Sequence, residues 1–132
     1  MKNKQIPDSS ITASSALSWY YSASKGRLDN KHTRGSGGSW CPNQITDDKP
    51  YLQVDLGALT RVTKLSTQGS PVRKEYTQYF MLLFSDNETK WTTYKQDGKT
   101  KVNGMETSLC DLKAKCFSYY QFRTVFVFFV VV

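Results

Sequence analysis

The sequence predicts an all-β fold, an antiparallel sandwich or distorted jelly-roll barrel, in a single domain of 132 residues. Three observations predict it. "YLQVDLG" (residues 51–57) alternates apolar and polar side chains with the period of a half-buried strand. Short strand-like runs are separated by turn signals roughly every ten residues, the rhythm of a sandwich or jelly roll. No stretch carries a convincing helical period, and there is no internal repeat.

In chain order, Leu52, Val54 and Leu56 share one face of the first clear strand, Gln53 and Asp55 the other, and Gly57 is expected to end it. "TRVTKLSTQG" (60–69), rich in β-branched residues and closing on glycine, reads as the next strand. In "YTQYFMLLFS" (76–85), Phe80, Leu82 and Phe84 are expected to face the core. Tyr79, Met81 and Leu83 then lie on an opposite face unusually apolar for a surface. "SDNETK" (85–90) is a turn, because Asp and Asn tolerate left-handed backbone and hydrogen-bond locally. "WTTY" (91–94) is a short strand, and Asp97-Gly98 favours a hairpin. The adjacent Asp47 and Asp48, beside Lys49-Pro50, read as another turn. Two irregular stretches, 14–38 and 69–74, interrupt this rhythm, and long loops of that kind are often functional. The final "VFVFFVVV" (125–132) is far shorter than the roughly 20 apolar residues that span a bilayer. It is a strand cut off before its turn, a truncated membrane segment, or a consequence of where the chain ends.

Composition narrows the function. Eight Tyr, seven Phe and three Trp can build a core from few residues. The net charge of +7, spread singly rather than in runs, favours anionic partners: phospholipid headgroups, sulfated glycans, acidic proteins or nucleic acid. Nucleic acid ranks low because no binding motif for it is present. Cys41, Cys110 and Cys116 form no CxxC pair, and His32 is the single histidine, so no metal site or cofactor is expected. No nucleophile elbow, phosphate loop or Ser–His–Asp set is present, so no enzymatic activity is expected. The N-terminal "MKNKQIPDSS" has no apolar segment of a signal peptide. Asn87-Glu88-Thr89 fits an N-glycosylation sequon, meaningful if the protein is secreted.

"ITASS" (11–15), "GRLDN" (26–30), "SWCP" (39–42), "YLQVDLG", "VTKLSTQG" (62–69) and "LLFSDNETKWTTY" (83–94) occur in this order. Together they resemble the discoidin domain, the C-type domain of coagulation factors five and eight. The resemblance covers residues 6–102 and is faint over 103–132. It implies a galactose-binding-like β-sandwich whose strands are a scaffold and whose loops, projecting from one end, grip the ligand. The family it suggests includes phosphatidylserine binders, collagen receptors, glycan-binding modules and adhesion proteins. Two features depart from the family pattern: no cysteine precedes Cys41, and the family's "LR-E-L-GC" ending is absent. The last strand is therefore predicted to be missing, with Cys41 free or paired to Cys110 or Cys116. Phe126 to Val132 is predicted to be an aggregation-prone edge.

The resemblance places "SSALSWYYSASKG" (14–26) at the first projecting loop, where lipid-binding members present adjacent aromatics. Trp19, Tyr20 and Tyr21 match by type, and at least one of them is expected to be exposed. Trp and Tyr join an apolar body to a polar tip, which suits the headgroup boundary. Lys25, Arg27, Lys31, Arg34, Arg73 and Lys74 are the expected basic rim, and Pro71 and Val72 the apolar tip of a second loop. Ser70 stands where collagen-binding members carry arginine, which argues against collagen. Asp29, Asn30 and His32 are too few for a calcium site. Trp40, Trp91 and Tyr94 read as packing residues, and Gln68-Gly69 as a turn anchor. The expected function is an extracellular or cell-surface adhesion module, part of a larger protein, in peripheral contact with the membrane. It would bind anionic phospholipid or a cell-surface protein. The alternatives are a carbohydrate-binding module, or a truncated gene product without function of its own.

Overall fold

Alternation in residues 51–56 builds the long strand around which the others assemble. In the computed structural model the described residues are 5–62, 64–72, 75–77, 79–96, 99, 100, 102–104, 115, 116 and 121–130. At Lys64, Tyr79, Gln96, Thr100 and beyond residue 101 the description is of backbone alone. The strands are β1 (Ile11–Ala13), β2 (Tyr51–Arg61), β3 (Lys64–Leu65), β4 (Tyr79–Ser85), β5 (Thr92–Thr93), β6 (Lys95–Gln96), β7 (Lys99–Thr100), β8 (Val102–Gly104), β9 (Lys115–Cys116) and β10 (Gln121–Val130). Single 3-10 turns form at Asp8–Ser10, Trp19–Tyr21 and Ala23–Gly26.

The main sheet runs β1-β2-β10-β4-β5, with β8 also on β4, and its neighbours are antiparallel. Two-stranded sheets β3-β9 and β6-β7 complete an all-β architecture. The apolar face expected of β2 and β4 is buried: Leu52, Val54, Phe80 and Leu82 all lie inside, while Leu56 and Phe84 are half-buried. Ile11, Leu52 and Val54 form one cluster, with Ala23 and Trp40 against it. Phe80, Leu82 and Tyr94 form a second, and Leu56 touches both. Each such side chain contributes about 1.5–3 kcal/mol when removed from water.

Three expectations are corrected. Gly57 does not end β2, which continues to Arg61. Its φ of +75° instead sits where the ladder with β10 skips, from Thr124 opposite Asp55 to Phe122 opposite Thr60. A residue without Cβ tolerates that left-handed backbone. The strand expected over 60–69 is not a separate one: Thr60 and Arg61 belong to β2, and beyond them only Lys64–Leu65 is strand, because β propensity cannot supply a pairing partner. Most consequential is the C-terminal run. The segment 125–128 is no sheet edge, since it pairs with β2 on one side and β4 on the other, while Phe129 and Val130 pair with β4. Val127 is the register partner of both Leu52 and Leu82. The backbone donors and acceptors of residues 124–128 are therefore used in two ladders. Cys110 lies outside the described residues, and Cys116 pairs through its backbone with Lys64.

Register also defines the two ends of the sheet. Ala13, Tyr51 and Tyr79 lie toward one end, while Thr124 aligns Asp55 with Ser85 toward the other. The connection from β1 to β2 and the approach to β4 both belong to the first end. The turn that follows Ser85 belongs to the second.

Candidate functional site

The loop that leaves β1 is tied down at its base. Ser14 N–H donates to the Tyr51 carbonyl, and Tyr51 N–H donates to the Ser14 hydroxyl (3.1 and 2.9 Å). Both Ser14 and Ser15 hydroxyls donate to the Asp47 carboxylate. These hydrogen bonds, Ser14's foremost, hold the Asp47 carboxyl below the usual carboxylate range, with the Lys49 N–H adding to them and burial opposing. Trp40 is half-buried, its indole N–H donating to the Ser15 carbonyl (2.9 Å), as a packing residue should. Tyr94 is buried and Trp91 half-buried.

The three adjacent aromatics are used differently. Trp19, opening a 3-10 turn after extended Ser18, is 72% exposed. Tyr20 and Tyr21 are half-buried and clip this loop to the next one. The Tyr20 hydroxyl donates to the Thr33 carbonyl and meets His32 Nε2, both at 2.8 Å. A hydroxyl has one proton, so the Nε2 of a neutral His32 must carry the hydrogen. The Tyr21 ring packs against Gly37, where a Cβ would come within 2.2 Å of Cε1. Backbone bonds continue the seam: Gly37 to Tyr20, Cys41 to Tyr21, and Leu17 to Cys41. The rings of Trp19, Tyr20 and Tyr21 stack edge-to-face in series, at 5.5 and 5.2 Å.

The second loop meets the first through small residues. Pro71 packs where Gly38, at φ +75°, leaves room. Ser39 and Ser70 hydroxyls bond at 3.2 Å, and Gln68 accepts from the Asp29 N–H, so Gln68 is the anchor expected of it. Pro71 and Val72 are exposed; Arg73 and Lys74 lie outside the described residues. Lys25 is half-buried, and Lys31 and Arg34 are exposed. Arg27 is not part of a basic rim: it is buried, held by Asp8 and the Ile6 carbonyl, and it straps the N-terminal segment to the domain. Cys41 is half-buried, with Sγ 3.7 Å from the Pro42 carbonyl oxygen.

Leu17, Ile45 and Tyr76 were not anticipated. They are 41%, 93% and 41% exposed. With Trp19 and Val72 they make five of the six exposed large hydrophobics among the described residues, and all five belong to segments that join the sheet at its first end. The sixth, Leu59, lies on β2 beyond its break. Ile45 left one sequence signal, a lone apolar residue in a polar turn. Between the loops, Trp40, Cys41, Gln68, Ser70, Glu75 and Tyr76 line a cleft of about 330 Å³. Among the described residues no group of three or more His, Cys, Asp or Glu is placed to hold a metal.

A family model for the F5/8 type C domain matches residues 10–119. The chain belongs to the F5/8 type C domain family. This discoidin-type domain is 40% identical over 107 residues to coagulation factor VIII of Sus scrofa, covering 77% of this chain and 5% of that protein. It is 38% identical over 112 residues to lactadherin of Rattus norvegicus, covering 77% of this chain and 25% of the relative. The domain thus spans a quarter or less of these relatives. Its backbone resembles wild-type discoidin II from Dictyostelium discoideum, with a TM-score of 0.77 over 89% of this chain and 47% of that one. At 11% identity, that likeness shows the fold alone.

Proposed function

We propose that this domain is an extracellular, non-enzymatic recognition module that docks its loop end on anionic phospholipid at a cell surface. One observation carries the reading: Leu17, Trp19, Ile45, Val72 and Tyr76 are all exposed, and the segments that carry them join the sheet at that end. Large apolar side chains exposed on neighbouring loops mark an interaction surface. Lys25, Lys31 and Arg34 stand on the same loops, and each contributes about 1 kcal/mol near an anionic membrane. Insertion of the Trp19 ring contributes about 1.5–3 kcal/mol, a tenfold effect or more on affinity. Tyr20 and Tyr21 serve as the fastening that holds Trp19 outward.

Liposome sedimentation tests this. Binding should require phosphatidylserine, fall with added salt, and weaken at least tenfold in Trp19→Ala and again with Ile45→Ser. Equal binding to neutral vesicles, or no change in either variant, refutes the reading. A second reading, carbohydrate recognition, is supported by the cleft beside Trp40, whose lining includes Gln68, Ser70 and Glu75. A glycan array on which a Glu75→Ala variant binds as wild type would remove it.

A further inference from the structure

We propose that Asn87 is an N-glycosylation site whose glycan stands at the end of the domain opposite the binding loops. Asn87-Glu88-Thr89 is the single N-x-S/T triplet in the 132 residues. It lies in the bend that follows β4, and Asn87 and Thr89 are both exposed. The turn is built on oxygen atoms alone. The buried Ser85 hydroxyl accepts from the Asn87 and Glu88 N–H groups, and Asn87 Oδ1 accepts from the Thr89 and Lys90 N–H groups at 3.0 and 3.1 Å. The Ser85 hydroxyl also donates to Oδ1. Oδ1 is thereby turned toward the backbone, and Nδ2 makes no hydrogen bond among the described residues. A sugar carried on Nδ2 keeps every one of these contacts.

The position suits the function proposed above, on whose extracellular compartment this inference rests. Thr124 aligns Ser85 with Asp55, away from the end where Ala13, Tyr51 and Tyr79 meet the loops. A bulky, hydrated oligosaccharide there leaves Trp19 and Ile45 unobstructed and disfavours docking by the wrong end. The modification joins Asn87 Nδ2 to the anomeric carbon of an oligosaccharide carried on a lipid pyrophosphate. A C–N bond forms as the C–O bond to pyrophosphate breaks. The pyrophosphate leaves with the electron pair, and one amide proton passes to a base.

The full chain, exported from eukaryotic cells behind an added signal peptide, tests the site whatever its natural compartment. The expected result is one oligosaccharide on the peptide containing Asn87, removable by peptide-N-glycosidase. It should be absent in Asn87→Gln and in Thr89→Ala, which leaves the Asn87 turn intact, and present in Thr89→Ser. Loss of the glycan should leave liposome affinity within twofold. An exported chain bare at Asn87 refutes the proposal. A tenfold change in liposome affinity on deglycosylation refutes its placement away from the loops. Lipid binding by a bare chain overturns this inference alone, whereas an occupied Asn87 without lipid binding overturns the lipid reading alone.

Discussion

Replacing Asp47 with alanine should loosen the base of the Trp19 loop. The carboxylate takes hydrogen bonds from the Ser14 and Ser15 hydroxyls and from the Lys49 N–H. Because those hydroxyls donate to Asp47, their lone pairs are turned to accept from the Tyr51 and Asn43 N–H groups. One side chain therefore orders the start of β2 and two loop segments. A hydrogen bond involving a charged group contributes about 1.5–3 kcal/mol. This site is only half-buried, so competing water reduces the whole set to about 1–2 kcal/mol. For a domain of this size that is a fall of about 3–8 °C in melting temperature. A carboxyl held below its unfolded value stabilises the fold fully above the ordinary carboxylate range, and that contribution is lost as pH falls through the folded value. Calorimetric melts of wild type and Asp47→Ala should therefore differ at pH 7 and converge in acid. Asp48→Ala, an exposed neighbour, should change little. Equal melting temperatures at pH 7, or a difference that persists undiminished in strong acid, would show that Asp47 does not order the loop base.

Two further predictions concern the fastenings of the loops. Gly38→Ala combines positive φ with a Cβ 2.7 Å from Pro71 Cγ and 2.8 Å from the His32 backbone nitrogen. It should destabilise by about 2 kcal/mol or more in urea unfolding, whereas Gly35→Ala, in open space, should stay within about 0.5 kcal/mol; equal midpoints would contradict the packing. Asp8→Ala leaves the buried Arg27 with one fewer partner. Because Asp8 is itself exposed, the expected loss is about 1–2 kcal/mol, with faster amide exchange over residues 5–10 as its mark. Unchanged exchange would show that Arg27 does not strap that segment.

The core faces of β2 and β4 were legible because period-2 alternation states which side chains turn inward, and Leu52, Val54, Phe80 and Leu82 obey it. Trp19 was legible for a related reason: a loop of small polar residues has little core in which to hide a large ring. The neighbouring Tyr20 and Tyr21 were not, because their role depends on His32, Thr33 and Gly37, which only folding brings beside them.

Pattern along the chain was enough for the all-β class, the strand faces of β2 and β4, the order of the family motifs and the sequon at Asn87. Folding alone shows that β10 lies between β2 and β4, that Arg27 is a buried strap, and that Leu17, Ile45, Val72 and Tyr76 are exposed as Trp19 is. The physical reason is range. Periodicity and turn chemistry act within a few residues. A strand's partner, the fate of a cation and the gathering of distant loops are set by contacts between segments far apart in the chain.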